Sequence, residues 1–193
     1  MKKLKNIFSI IFNYGINESL SEKKKKRVRI TNILALTTSI LVIPLFFVFH
    51  YIGANFLKYL IPVVIIYQVS LLILNKKGFI NLSRFIAPNA NALVIFVYST
   101  VLGPETLFYL FYFPAISGSF LYFELKEKRF FAFQLSFSSV LIFLDLFAKL
   151  RLFPVFEQSA DRAVFTSYFF TLAAFSLFLV CLFALAAESM AAE

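Results

Sequence analysis

Six apolar stretches, each about as long as a lipid bilayer is thick, divide this sequence. A helix rises ~1.5 Å per residue, so crossing ~30 Å of hydrocarbon takes about 20 apolar residues. The stretches are Ile30–Tyr51, Phe56–Leu74, Phe85–Leu102, Thr106–Phe123, Phe130–Ala148 and Val164–Ala187. Hydrophobic residues make up 61% of the 193, and the mean hydropathy is +0.84. Soluble domains run nearer half apolar, so lipid is the solvent that this excess requires. The expected fold is therefore all-α: a polytopic membrane bundle of six transmembrane helices, preceded by an interfacial amphipathic helix.

Turn chemistry separates the stretches. Gly53 to Asn55, Asn75 to Arg84, Gly103-Pro104-Glu105 and the run Glu124 to Arg129 form the short links. Lys149 to Arg162, with Pro154, is the longest, with room for a short surface helix. Cations resist translocation, so Lys and Arg set the orientation. With the N-terminus inside, the inner face holds all 19 of them except Lys58, Lys149, Arg151 and Arg162. Both termini are thus expected in the cytoplasm, which an even number of crossings requires.

Three regions follow. Residues 1–29 form a cytoplasmic segment, 30–187 the six-helix transmembrane domain, and 188–193 the start of a helical linker. In the first, Leu4, Ile7, Phe8, Ile11 and Phe12 recur at helical spacing, which suits a helix lying in the inner interface. Gly15 can end it. The basic run Lys23, Lys24, Lys25, Lys26, Arg27 and Arg29 follows. It reads as a topology signal, and as a site for anionic lipid worth about 1 kcal/mol per basic residue. With the cations placed between apolar runs, the net charge of +9 points to membrane lipids and not to nucleic acid. Pro44, Pro62, Pro88 and Pro114 fall inside spans, where proline interrupts the backbone ladder.

Enzyme motifs are missing from the sequence: there is no Walker-type loop, GxSxG or HExxH. With one histidine, His50, and one cysteine, Cys181, no cofactor or metal site is expected. Polar residues inside spans are costly in lipid and become the candidates. Gln68, Asn89, Asn91, Ser117, Ser119 and Gln134 lie toward the middle or inner half, placed for hydrogen bonds between helices. His50, Glu105, Tyr109, Tyr112 and Asp145 lie toward the outer face. Local roles account for some of these. Asp145 and Lys149, four apart, can pair, and Glu105 sits at a helix N-terminus, where the dipole favours an anion. The same five residues also fit an outward-facing ligand pocket, walled by the aromatic run Phe108 to Phe113. After Phe183 the chain reads ALAAESMAAE, strong helix formers with no stop signal. The sixth helix is expected to continue toward a cytoplasmic output domain.

The run Gly15 to Asn32 and the segment LGPETLFYLFYFPAISGSFLYFELKEKRFFAF, Leu102 to Phe133, resemble the N-terminal membrane domains of bacterial class III adenylyl/guanylyl cyclases and sensor histidine kinases. Gly103, Pro104, Glu105 and Pro114 carry the closest pattern, with Tyr112 where the family has Phe. The resemblance implies an inner-membrane sensor or regulatory domain. It also implies a homodimer whose sixth helices continue as a parallel coiled coil into an output enzyme, and a small-molecule or lipid ligand of unknown identity. Two other readings compete with it: a small transporter or channel subunit, and a passive anchor. Acids near the span ends, and the lack of an internal repeat, count against transport.

Overall fold

The computed structural model describes residues 10–123, 127–147 and 160–190, with the side chains of the last stretch described from 163 to 182. The described residues are helical throughout, joined by turns. In chain order the helices are α1 (Glu22–Ile52), α2 (Asn55–Lys76), α3 (Ile80–Leu102), α4 (Tyr112–Tyr122), α5 (Lys128–Leu146) and α6 (Ala160–Met190). Two 3-10 turns, Pro104–Thr106 and Phe108–Phe111, stand between α3 and α4. Five helices are long and apolar enough to cross a membrane: α1, α2, α3, α5 and, over Ala163–Leu182, α6.

The chain divides into two compact units, Met1–Ala87 and Pro88–Glu193. The first is built on a hairpin of α1 and α2. Gly53 ends α1 in the left-handed conformation (φ 85°), and the Ala54 N–H returns to the Phe49 carbonyl at 2.9 Å. This closes the last turn as a Schellman motif does. Leu57, Ile61, Val64, Gln68, Leu71 and Asn75 are the buried residues of α2. Their alternating steps of four and three are the spacing of a coiled-coil seam. They pack with a matching row on α1, Ala35, Val42, Leu45, Phe49 and Ile52.

Against the sequence expectation, α3 begins five residues early, at Ile80 and not Phe85, so 81–84 is helix and not link, and two larger differences stand beside it. First, α1 begins at Glu22, so the basic run is helical and continuous with the first span. Lys and Arg are good helix formers, and Lys25 pairs with Glu22 one turn back at 2.8 Å. Second, the stretch expected as a fourth span over 106–123 is not one helix. Gly103 (φ 82°) and Pro104 interrupt the chain, and Leu107 adopts the left-handed conformation at φ 59°. Regular α-helix resumes at Tyr112 and lasts 11 residues. The expected helix of residues 1–12 is described only from Ile10, and it ends in the turn at Gly15 (φ 84°). The link 149–159, with the Asp145–Lys149 pair, and residues 191–193 lie outside the described residues.

Candidate functional site

The second unit gathers a polar group at the far ends of α3 and α5. The inward face of α5 carries Gln134, Ser138, Leu141 and Asp145, again at steps of four and three. On α3, Pro88, Ala92, Phe96 and Ser99 recur at the same steps. The Gln134 amide donates to the Pro88 carbonyl at 3.4 Å and to Ser138 at 3.1 Å. Eleven residues further along both helices, the Ser99 side chain reaches the Asp145 carboxyl. Equal spacing along both chains means that α3 and α5 run in the same direction.

Tyr112, the first residue of α4, completes the group. It is 2% exposed and packs with Ala92, Phe96 and Leu141, while Tyr109 borders the same cluster. The Asp145 carboxyl acts electrostatically on its hydroxyl. The Tyr112 hydroxyl and Asp145 Oδ2 are both buried, and neither has a hydrogen-bond partner within the described residues. Such atoms are rare in native proteins because each costs about 1–3 kcal/mol.

Local geometry explains how Tyr112 comes to point inward. In a 3-10 turn, residues three apart lie over one another. The Phe108 and Phe111 rings accordingly lie close, tilted by 33° with centroids 4.8 Å apart. Phe108 meets Tyr98 of α3 at 5.4 Å and Phe170 of α6 at 4.9 Å, both edge to face. The left-handed Leu107 costs about 1–2 kcal/mol for a residue with a side chain. Strain of this kind collects at functional sites.

Of the five outer-face candidates, the structure brings together Tyr109, Tyr112 and Asp145. Glu105 is exposed on the first 3-10 turn, outside the buried group. His50 lies in the first unit, exposed in the last turn of α1. Among the inner candidates, Gln134 bonds between helices, whereas Ser117 and Ser119 donate to carbonyls of their own helix, Phe113 and Ala115, at 2.6 and 2.9 Å. A short hydroxyl finds its own preceding turn more easily than a neighbour. Gly118 between them faces the Cys181 sulfur of α6. Gln68 is buried, and Asn89 and Asn91 are half-buried. In the basic run, Arg29 donates to the Asn13 side chain at 3.1 Å, while Lys23, Lys24 and Lys26 are exposed. Among the described residues, no three His, Cys, Asp or Glu side chains group as metal ligands.

Sequence reasoning passed over Ser99, whose signal was its place next to Thr100 at the end of the apolar run that follows Asn91. It also passed over a second polar junction, in the first unit. There Ser83 donates to Asn75, Asn75 to Asn32 at 2.8 Å, and Asn32 to the carbonyls of Ile11, Phe12 and Tyr14. No family model, curated protein or solved structure matches this chain.

Proposed function

We propose that this chain is the membrane-embedded sensor and dimerisation domain of a bacterial signalling enzyme, a nucleotide cyclase or else a histidine kinase. The chain crosses the inner membrane six times with both ends cytoplasmic, and 104–122 is a broken fourth crossing. Support for the orientation comes from the Lys and Arg asymmetry. Support for the broken crossing comes from length and burial. Eleven α-helical residues reach about 16 Å, and the 3-10 turns at ~2 Å per residue extend that toward 30 Å. Irregular backbone is tolerated at membrane depth where protein surrounds it, and Thr106, Phe108 and Tyr112 are all buried.

The observation that carries the reading is the path from the polar group to the last helix. At one end of the aromatic run Tyr112 feels the Asp145 charge, and at the other Phe108 packs on Phe170 of α6. A ligand that prefers one arrangement of the polar group thereby biases α6. On α6, Phe165, Tyr168, Leu172, Phe175, Leu179 and Leu182 are exposed. Their steps of three and four are those of a coiled-coil seam, which suits parallel pairing with a second copy.

The test is the output of the full-length protein in native membranes. Asp145→Asn changes cyclase or autokinase activity about fivefold or more at equal protein level; unchanged activity leaves only an anchor. A discontinuous helix beside an acid is also a transporter's build. Solute uptake by proteoliposomes that is lost with Asp145→Asn would replace the sensing role.

A further inference from the structure

We propose that Asp145, Ser99 and Tyr112 hold a small, hard monovalent cation, with sodium as the probe. The proposal rests on the reading of this group as the domain's binding site. All three residues offer oxygen, and oxygen donors select hard cations over those that prefer nitrogen or sulfur. One carboxylate balances one positive charge, whereas calcium sites draw on several carboxylates. The Tyr112 hydroxyl and Asp145 Oδ2 are buried with no hydrogen-bond partner among the described residues, so they do not bond to each other. Two oxygens left in that state share a cation favourably, because each is otherwise desolvated without compensation.

The surroundings favour an ion over an organic ligand. Ala92 is 0%, Phe96 5% and Leu141 5% exposed around Tyr112, so apolar side chains pack closely on the tyrosine. Lys128 and Arg129 stand at the other end of α5, about 25 Å away along the helix. Asp145 itself is only half-buried, one residue from the end of its helix, which gives an ion access from the aqueous side.

The experiment is thermal unfolding of the whole chain in lipid nanodiscs, in sodium, potassium or N-methylglucamine chloride at equal ionic strength. Sodium raises Tm saturably and N-methylglucamine does not. Asp145→Asn abolishes the rise. Ser99→Ala and Tyr112→Phe each raise the half-maximal sodium concentration about tenfold. Equal Tm in sodium and N-methylglucamine overturns the proposal, as does a sodium response that survives Asp145→Asn. Should Asp145→Asn fail to fold, an unchanged midpoint in Tyr112→Phe overturns it instead. The two ideas fail separately. With no sodium response, an effect of Asp145→Asn on enzyme output keeps the sensing role. With sodium bound but output unmoved, the ion site stands and the sensing role falls.

Discussion

Asn32 is fully buried, yet its amide is satisfied by three backbone carbonyls and its carbonyl by Asn75. This one side chain fastens the turn around Tyr14 to the hairpin of α1 and α2. Gly15 lets the turn come close: a Cβ there would stand 2.7 Å from the Lys76 backbone nitrogen. Asn32→Ala strands the Asn75 amide and is expected to cost about 1–3 kcal/mol. The check is limited proteolysis in nanodiscs, where cleavage between residues 10 and 20 should quicken while the α2 fragment stays intact. At Leu107 the positive φ sets a different order. Val branches at Cβ and fits that conformation worst, while Gly fits it without strain. Thermal unfolding should therefore rank Leu107→Val below Leu107→Gly; the reverse order would mean that side-chain packing outweighs the backbone there.

The element that sets this fold apart is the interrupted stretch between α3 and α4. Pro104 removes a donor, Gly103 turns the chain, and the 3-10 turns carry bonds such as Leu110 N–H to the Leu107 carbonyl at 3.0 Å. Short 3-10 pieces have poorer hydrogen-bond geometry than an α ladder. Amide exchange in nanodiscs should show residues 104–111 exchanging before the centre of α2, residues 61–71. Equal protection would argue for a continuous helix. By contrast, the basic run strengthens its element, since α1 reaches from Glu22 through the first span without a break at Pro44.

At the scale of the whole molecule, the asymmetry of Lys and Arg makes the firmest prediction. Epitope tags at the two ends should both resist protease added outside intact cells and both be cut once the membrane is opened. A tag cleaved only at the carboxyl end would mean an odd number of crossings. Pairing through α6 makes its own prediction. With Cys181→Ser as background, cysteines placed at Tyr168 or Phe175 should cross-link two copies, and one at Phe170, 0% exposed, should not.

The sequence by itself determined that the chain is helical and where five apolar helices that suit lipid lie, because run length and hydropathy are local properties. It also marked Tyr109, Tyr112, Asp145 and Gln134, since a polar group inside an apolar run is conspicuous whatever surrounds it. Tertiary structure alone decided which of these meet. Ser99 joins Asp145 because α3 and α5 run in one direction with matching faces. Asn32, Asn75 and Ser83 looked like span edges and connectors until packing placed them in one buried chain of hydrogen bonds. The break at Leu107 was equally hidden, because an apolar count does not register a single left-handed φ. Composition fixes the cost of exposing a side chain to water or lipid, and only the meeting of helix faces fixes its partner.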